Sequence, residues 1–156
     1  MGNDVDTVED SGLRAIAHGP RLPELERIAT DINDLMSEMM AGMITEHEAM
    51  ERHKDALVGL SPDELRYMKV IMCDRMIAEL REAVAMGLMS REESRDRMAG
   101  VYGVLDDGQQ AELIRRLVDQ AREAGGTLSE RVMAFVRSKG VDAEDLAAPD
   151  EDDGSL

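Results

Sequence analysis

The amino-acid sequence predicts an all-α fold, a bundle of about six helices arranged as tandem helical hairpins. Three observations lead to this prediction. Aromatic residues make up only 2% of the chain, so one class of side chain that favours β-strands is nearly missing. Apolar residues recur at helical spacing along several segments. Most of these segments end at a glycine, and a residue suited to cap the next helix follows.

A first helix is predicted over residues 22–40, where apolar and charged residues separate onto two faces. Gly42 is expected to end this helix in the left-handed conformation that glycine adopts readily. Thr45 and Glu48 then form a capping box, which predicts a second helix extending to about Val58. The apolar face of the first helix consists of Leu25, Ile28, Ile32, Leu35, Met36, Met39 and Met43.

Four further helices are predicted from similar start and stop signals. The third helix begins at Ser61, an N-cap followed by the N1 residue Pro62, and Gly87 ends it. The fourth is expected to begin at Ser90, which forms a capping box with Glu93. The fourth, fifth and sixth helices are predicted over residues 90–104, 106–125 and 127–140.

The turn between the first two helices recurs 45 residues later. Residues 42–48 read Gly-Met-Ile-Thr-x-x-Glu, and residues 87–93 read Gly-Leu-Met-Ser-x-x-Glu. A weaker copy starts at Gly126. A turn that recurs at constant spacing is typical of stacked helical hairpins. The sequence therefore predicts two full repeats of about 45 residues and a shortened third.

Acidic residues dominate the charge of the chain, whose formal net charge is −16. The two ends hold much of the excess, with a net charge of −3 over residues 1–19 and −7 over residues 142–156. We therefore predict an acidic flexible tail over residues 1–20, a helical bundle domain over residues 21–146 and an acidic disordered tail over residues 147–156. The remaining body is mildly acidic, which disfavours direct binding to nucleic acid.

The sequence predicts a cytoplasmic protein that does not enter a membrane. No uninterrupted apolar run reaches the roughly 18 residues that indicate a membrane-spanning helix. Residues 1–6 are acidic, whereas a secretory signal peptide would be basic and then apolar. The single cysteine, Cys73, cannot form an intramolecular disulfide, which fits a reducing compartment.

No arrangement of residues predicts catalysis, a metal site or a cofactor site. His47 and His53 are six positions apart on a predicted helix and therefore face different directions. An EF-hand at the first turn is excluded because Met39 and Ala41 would have to bind calcium. The many carboxylates are expected to be exposed. We therefore predict a protein that is not an enzyme and holds no cofactor.

Methionine is unusually frequent, with 13 residues. It clusters near the end of the first predicted helix and along the third, whose apolar residues do not fit a single stripe. Two interpretations stay open, because flexible methionines can fill a core or form an adaptable surface that binds a partner. The candidate partner-binding residues are Tyr67, Met68, Ile71, Met36, Met40 and Met43.

The leading functional hypothesis is a small intracellular interaction or regulatory module. Its Met-rich apolar helical surface would bind a protein partner, or a second copy of the chain in a homo-oligomer. One alternative is an acidic antagonist or chaperone that occupies the basic site of a nucleic-acid-binding protein, although most of the acidic excess lies in the predicted tails. Another is metal handling, in which methionine thioethers and Cys73 would bind Cu(I).

Overall fold

The structure is a computed structural model that describes residues 10–147, and over this range it contains seven α-helices and no β-strand. The predicted all-α fold is confirmed. All six predicted helices are present, and one further helix precedes them. The helices are α1 (Ser11–Ala17), α2 (Leu22–Met40), α3 (Glu46–Leu57), α4 (Pro62–Ala85), α5 (Arg91–Gly103), α6 (Asp107–Glu123) and α7 (Glu130–Ser138), followed by a 3-10 helix (Glu144–Leu146). None of these helices is long and apolar enough to cross a bilayer.

Helix α4 lies at the centre of the bundle, packed against α1, α2, α5 and α6. Its buried residues divide between two clusters. Tyr67 and Ile71 pack with residues of α1 and α2, whereas Val70 and Ile77 pack with residues of α5 and α6. A helix in this position needs apolar residues on more than one face, which explains why its sequence lacks a single apolar stripe.

Helix α1 corrects the predicted start of the bundle at residue 21. Asp10 caps it by accepting a hydrogen bond from the Leu13 amide at 3.1 Å, and Leu13 is completely buried against α2 and α4. The sequence analysis missed this helix because seven residues are too few to show a helical period or to be stable alone. The predicted tail residues 1–9 and 148–156 lie outside the described part of the chain.

The turns α2–α3 and α4–α5 have the same backbone geometry. Gly42 and Gly87 have φ angles of 78° and 76°, in the left-handed region. The residue after each glycine donates a backbone hydrogen bond, of 2.9 Å from Met43 and 2.8 Å from Leu88, to a carbonyl in the last turn of the helix. This pattern satisfies carbonyls that have no partner within the helix. Both turns therefore end a helix by the same mechanism.

The predicted third copy of the turn is displaced by one residue. The glycine with a left-handed backbone is Gly125, with a φ angle of 71°, whereas the repeat within the sequence predicted Gly126 at this position. The first two turns are therefore alike in backbone φ angles and hydrogen bonds. The repeat of about 45 residues stays a prediction.

Replacing Gly42 or Gly87 by alanine is expected to lower the free energy of unfolding by about 1 kcal/mol each, because alanine is strained at positive φ. Only this strain is tested, since an added Cβ would meet nothing within 4 Å at either position. Gly100 is a matched control in α5 with equally open surroundings, and Gly100→Ala should be neutral or stabilise by up to about 1 kcal/mol. Urea unfolding measures all three variants. Equal losses at the three positions would contradict the assignment.

The C-terminal part of the described chain packs on α6. Met133 and Val136 of α7 join a cluster with Leu146 of the 3-10 helix and residues of α6. The Leu128 amide donates a hydrogen bond of 2.7 Å to the Leu146 carbonyl, and Leu128 and Ala147 form a single parallel β-bridge. The last described residue is therefore held beside the connection between α6 and α7.

Candidate functional site

The six candidate partner-binding residues do not form one surface. Tyr67, Met68 and Ile71 are buried within the chain, with exposed fractions of 1%, 4% and 0%. These three residues therefore belong to the core, because α1 and α2 cover this side of α4. Their position outside the main apolar stripe reflects the centrality of α4 and does not indicate a free surface.

The other three candidates are exposed. Met36 is 44% exposed, Met40 83% and Met43 73%. Met36 lies in the wall of a groove, whereas Met40 and Met43 lie beyond it, at the end of α2 and in the turn that follows. The structure thus separates the methionine cluster of α2 into a groove wall and an apolar tip.

A groove between α2, α3 and α4 is here called the methionine groove. It consists of two cavities of about 360 and 260 Å³, and both are bordered by Ile32, Met36 and His53. The first is also lined by Leu57, Leu65, Met68, Lys69 and Met72, and the second by Leu35, Met39, Glu46, Ala49 and Met50. Four methionines that are at least partly exposed and the buried Met68 therefore line the groove.

Local sequence spacing explains this lining. Along α4, Leu65, Met68 and Met72 recur at i, i+3 and i+7 and therefore share one face of the helix. On α3, the small buried residue Ala49 lets the backbone approach α2, while Met50 remains largely exposed at the rim. The three helices thus line the groove together, with the buried Met68 among the lining residues.

Few polar groups face the methionine groove. Glu46, His53 and Lys69 are the charged or titratable residues in its lining. The Lys69 ammonium donates a hydrogen bond of 3.3 Å to the Val104 carbonyl, which draws it toward the end of α5. The groove is therefore mainly apolar with a few polar residues in its lining, a composition typical of binding clefts.

The other side of the α2–α3 hairpin is acidic. A shallow depression there is bordered by four carboxylates and by Arg52. The Arg52 guanidinium lies 3.9 Å from Glu38 and 3.8 Å from Glu48, so it offsets only part of the negative charge. The four carboxylates are Asp31, Asp34, Glu38 and Asp55.

Cys73 does not lie with the groove methionines. It is buried in the cluster that α4 forms with α5 and α6, where its thiol donates a hydrogen bond of 3.8 Å to the Val101 carbonyl. Burial raises the pKa of the Cys73 thiol, which disfavours the thiolate that metals bind. Within residues 10–147, no three His, Cys, Asp or Glu side chains are grouped in a way that could hold a metal ion.

A buried carboxylate, which the sequence pattern predicts to be exposed, joins α1 to α6. Glu112 is 1% exposed and accepts hydrogen bonds from Arg14 at 3.0 Å and from Arg115 at 2.9 Å. Two guanidinium groups therefore balance its charge. Glu112 therefore connects α1 to α6 by ion pairing. Its loss would leave both arginines without their carboxylate.

A second buried carboxylate, Asp74 of α4, accepts hydrogen bonds from Arg116 at 2.9 Å and from Gln120 at 3.0 Å. Arg116 also contacts Glu26 of α2 at 3.2 Å and lies 6.0 Å from the centroid of the Tyr67 ring. Burial raises the pKa of Tyr67, and the neighbouring Arg116 acts in the opposite direction. The network thus connects α2, α4 and α6 through satisfied polar groups.

One sequence signal could have revealed this network. Four polar residues of α6 recur at i, i+3, i+7 and i+11, which places them on one face of the helix. Such a stripe has the appearance of a solvated face unless the neighbouring helices are known. The four residues are Gln109, Glu112, Arg116 and Gln120.

Comparisons of the chain with protein-family models, with curated proteins and with solved structures find no match.

Proposed function

We propose that this protein is a non-catalytic interaction module whose methionine groove binds the apolar face of an amphipathic helix from a partner protein. The observation that carries this proposal is a pair of cavities that share three lining residues between three helices, with five methionines in their combined lining. Helix-in-groove recognition uses surfaces of this kind.

The length of the groove fits such a ligand. Its wall on α2 extends from Ile32 to Met39, which corresponds to about 10 Å along the helix axis. Apolar anchors at i, i+3 or i+4, and i+7 of a bound helix cover a similar length. One face of a short helix could therefore fill both cavities of the groove.

Methionine suits a groove of this kind because its unbranched thioether adapts to different shapes. Beyond the lining, Met40 and Met43 extend the apolar surface at the tip of the hairpin, where they are largely exposed.

The charge of the hairpin indicates a second property of the partner. The acidic side of the α2–α3 hairpin favours a helix with basic residues flanking its apolar face, since complementary charge speeds association.

Replacing Met36 and Met50 together by serine is expected to weaken binding of such a helix by about 10- to 100-fold, because anchors in a desolvated groove carry most of the binding energy. The probe is a synthetic amphipathic peptide of about four helical turns, with leucines on one face, lysines on the other and one tryptophan. The chain contains no tryptophan, so peptide fluorescence reports binding without background.

Met86→Ser is the matched control, because Met86 is 64% exposed and lies outside the methionine groove. It should bind the peptide like the unmodified chain, and all variants should melt alike. Equal binding by the control and the double variant would contradict the proposal. A concentration-dependent dimer that the double variant abolishes would instead assign the groove to a second copy of the chain.

A further inference from the structure

A second groove lies between α4 and α5, and it has a different chemistry. It has a volume of about 250 Å³ and is here called the arginine groove. Its lining consists of Arg81, Val84, Arg91, Ser94, Arg95 and Met98. Each of these residues stands 45 positions after a residue that lines the methionine groove, and Arg81 and Arg95 stand where the first hairpin has Met36 and Met50.

The arginines of this groove have no partner within the described part of the chain. Eleven of the fifteen arginines form ion pairs or hydrogen bonds there. Arg81, Arg91, Arg95 and Arg131 do not, and three of these four line one groove. In a chain with 34 acidic and 18 basic residues, three adjacent unpaired arginines point to an anionic ligand.

Ser94 provides an independent indication of a ligand. It lines the arginine groove, is 3% exposed, and its hydroxyl has no hydrogen-bond partner among residues 10–147. A buried hydroxyl without a partner is costly, and an acceptor group entering the groove would relieve that cost. The equivalent residue of the first hairpin is Ala49, which faces the apolar groove.

The described chain ends close to this groove. Leu128, which is bridged to Ala147, lines a cavity of about 350 Å³ that Arg81 also borders. The end of the described chain therefore lies beside a residue of a cavity that Arg81 also lines. Four consecutive acidic residues, Asp150 to Asp153, follow in the sequence. An extended chain spans roughly 3.3–3.6 Å per residue, so three to six residues beyond Ala147 reach about 10–20 Å.

We propose that the arginine groove binds the chain's own acidic run, residues 150–153. Individual exposed ion pairs are weak, but an attached segment competes at an effective concentration in the millimolar range. The carboxylates of the run would pair with Arg81, Arg91 and Arg95. Glu93, which lies between Arg91 and Arg95 in the sequence, pairs with Arg97 at 3.2 Å. This inference does not depend on the role of the methionine groove.

The test places a nitroxide spin label beside the acidic run in the full-length protein. Ser155→Cys provides the attachment site, and the native Cys73 is buried and thus protected from labelling. At low salt the label should remove most of the intensity of the amide NMR signals near Ser94 and leave those of α3 unchanged. In 1 M salt the Debye length is about 3 Å, so the signals should return.

Charge variants determine whether the arginines are the binding groups. The triple variant Arg81→Gln, Arg91→Gln and Arg95→Gln should restore the signals at low salt. Arg131→Gln is the matched control, because Arg131 also has no partner among residues 10–147 but lies outside the groove, and it should leave the broadening unchanged. Converting Asp150, Glu151, Asp152 and Asp153 to their amides should also restore the signals without altering the groove.

Three results would overturn the proposal. The first is full signal intensity in the labelled protein at low salt. The second is broadening that persists in the triple arginine variant. The third is broadening that appears only in a mixture of isotope-labelled protein without the nitroxide and nitroxide-labelled protein without the isotope. That result would assign the contact to a second copy of the chain.

Discussion

Replacing Glu112 by alanine is expected to lower the free energy of unfolding by about 3–5 kcal/mol, because breaking a buried ion pair leaves the remaining charges uncompensated. Arg14 and Arg115, whose side chains are mostly buried, would both lose the carboxylate they contact. Domains of similar size lose roughly 2–4 °C in Tm per kcal/mol, so thermal unfolding should shift down by roughly 6–20 °C.

Glu130→Ala is the matched control for this substitution. The Glu130 side chain is 84% exposed and lies 3.4 Å from Arg137, so solvent screens the pair. Its loss should change stability by less than about 0.5 kcal/mol. Thermal unfolding followed by circular dichroism compares the two variants. Similar shifts for Glu112→Ala and Glu130→Ala would mean that burial of Glu112 has no energetic consequence.

Replacing Leu13 by alanine is expected to cost about 2–5 kcal/mol, the range for deleting a fully buried leucine side chain. Leu13 is the completely buried residue through which α1 joins the core formed by α2 and α4. Urea unfolding measures the loss. A change below about 0.5 kcal/mol, typical of surface positions, would contradict the packing of α1 on the bundle.

Truncation extends this test to the whole of α1. Deleting residues 1–20 should destabilise the protein at least as much as Leu13→Ala, because it also removes Arg14 from Glu112. Deleting only residues 1–9 retains the capping residue Asp10 and every contact described for the bundle, so it serves as the control. If the chain without residues 1–20 melts like the full chain, the predicted flexible tail is the better description.

The two hairpins share the geometry of their turns but carry different side chains. Gly42 and Gly87 both have left-handed backbones, and positions 45 residues apart in α3 and α5 line two different grooves. At these positions the first hairpin has Met50 where the second has Arg95. The proposed difference between an apolar helix ligand and an acidic segment therefore depends on side chains alone.

Local sequence signals predicted six of the seven described helices, because the residues that begin and end a helix lie close together in the sequence. Thr45 and Ser61 form capping boxes with the glutamates three residues later, as their spacing predicts. Gly42 and Gly87 adopt the positive φ angles that the pattern of helix ends requires. Such features involve residues within about one helical turn, so they can be predicted from the sequence alone.

Tertiary packing determines which side chains lie in the core, which form buried ion pairs between helices and which are exposed. Met68 and Met36 belong to similar apolar patterns, yet Met68 is buried under α2 and Met36 borders an open groove. Glu112 has the local pattern of a solvated residue, but Arg14, 98 positions earlier, meets it in the interior. Burial and charge pairing depend on which helices pack against each other. No single segment specifies its packing partner, so these properties cannot be predicted from local sequence.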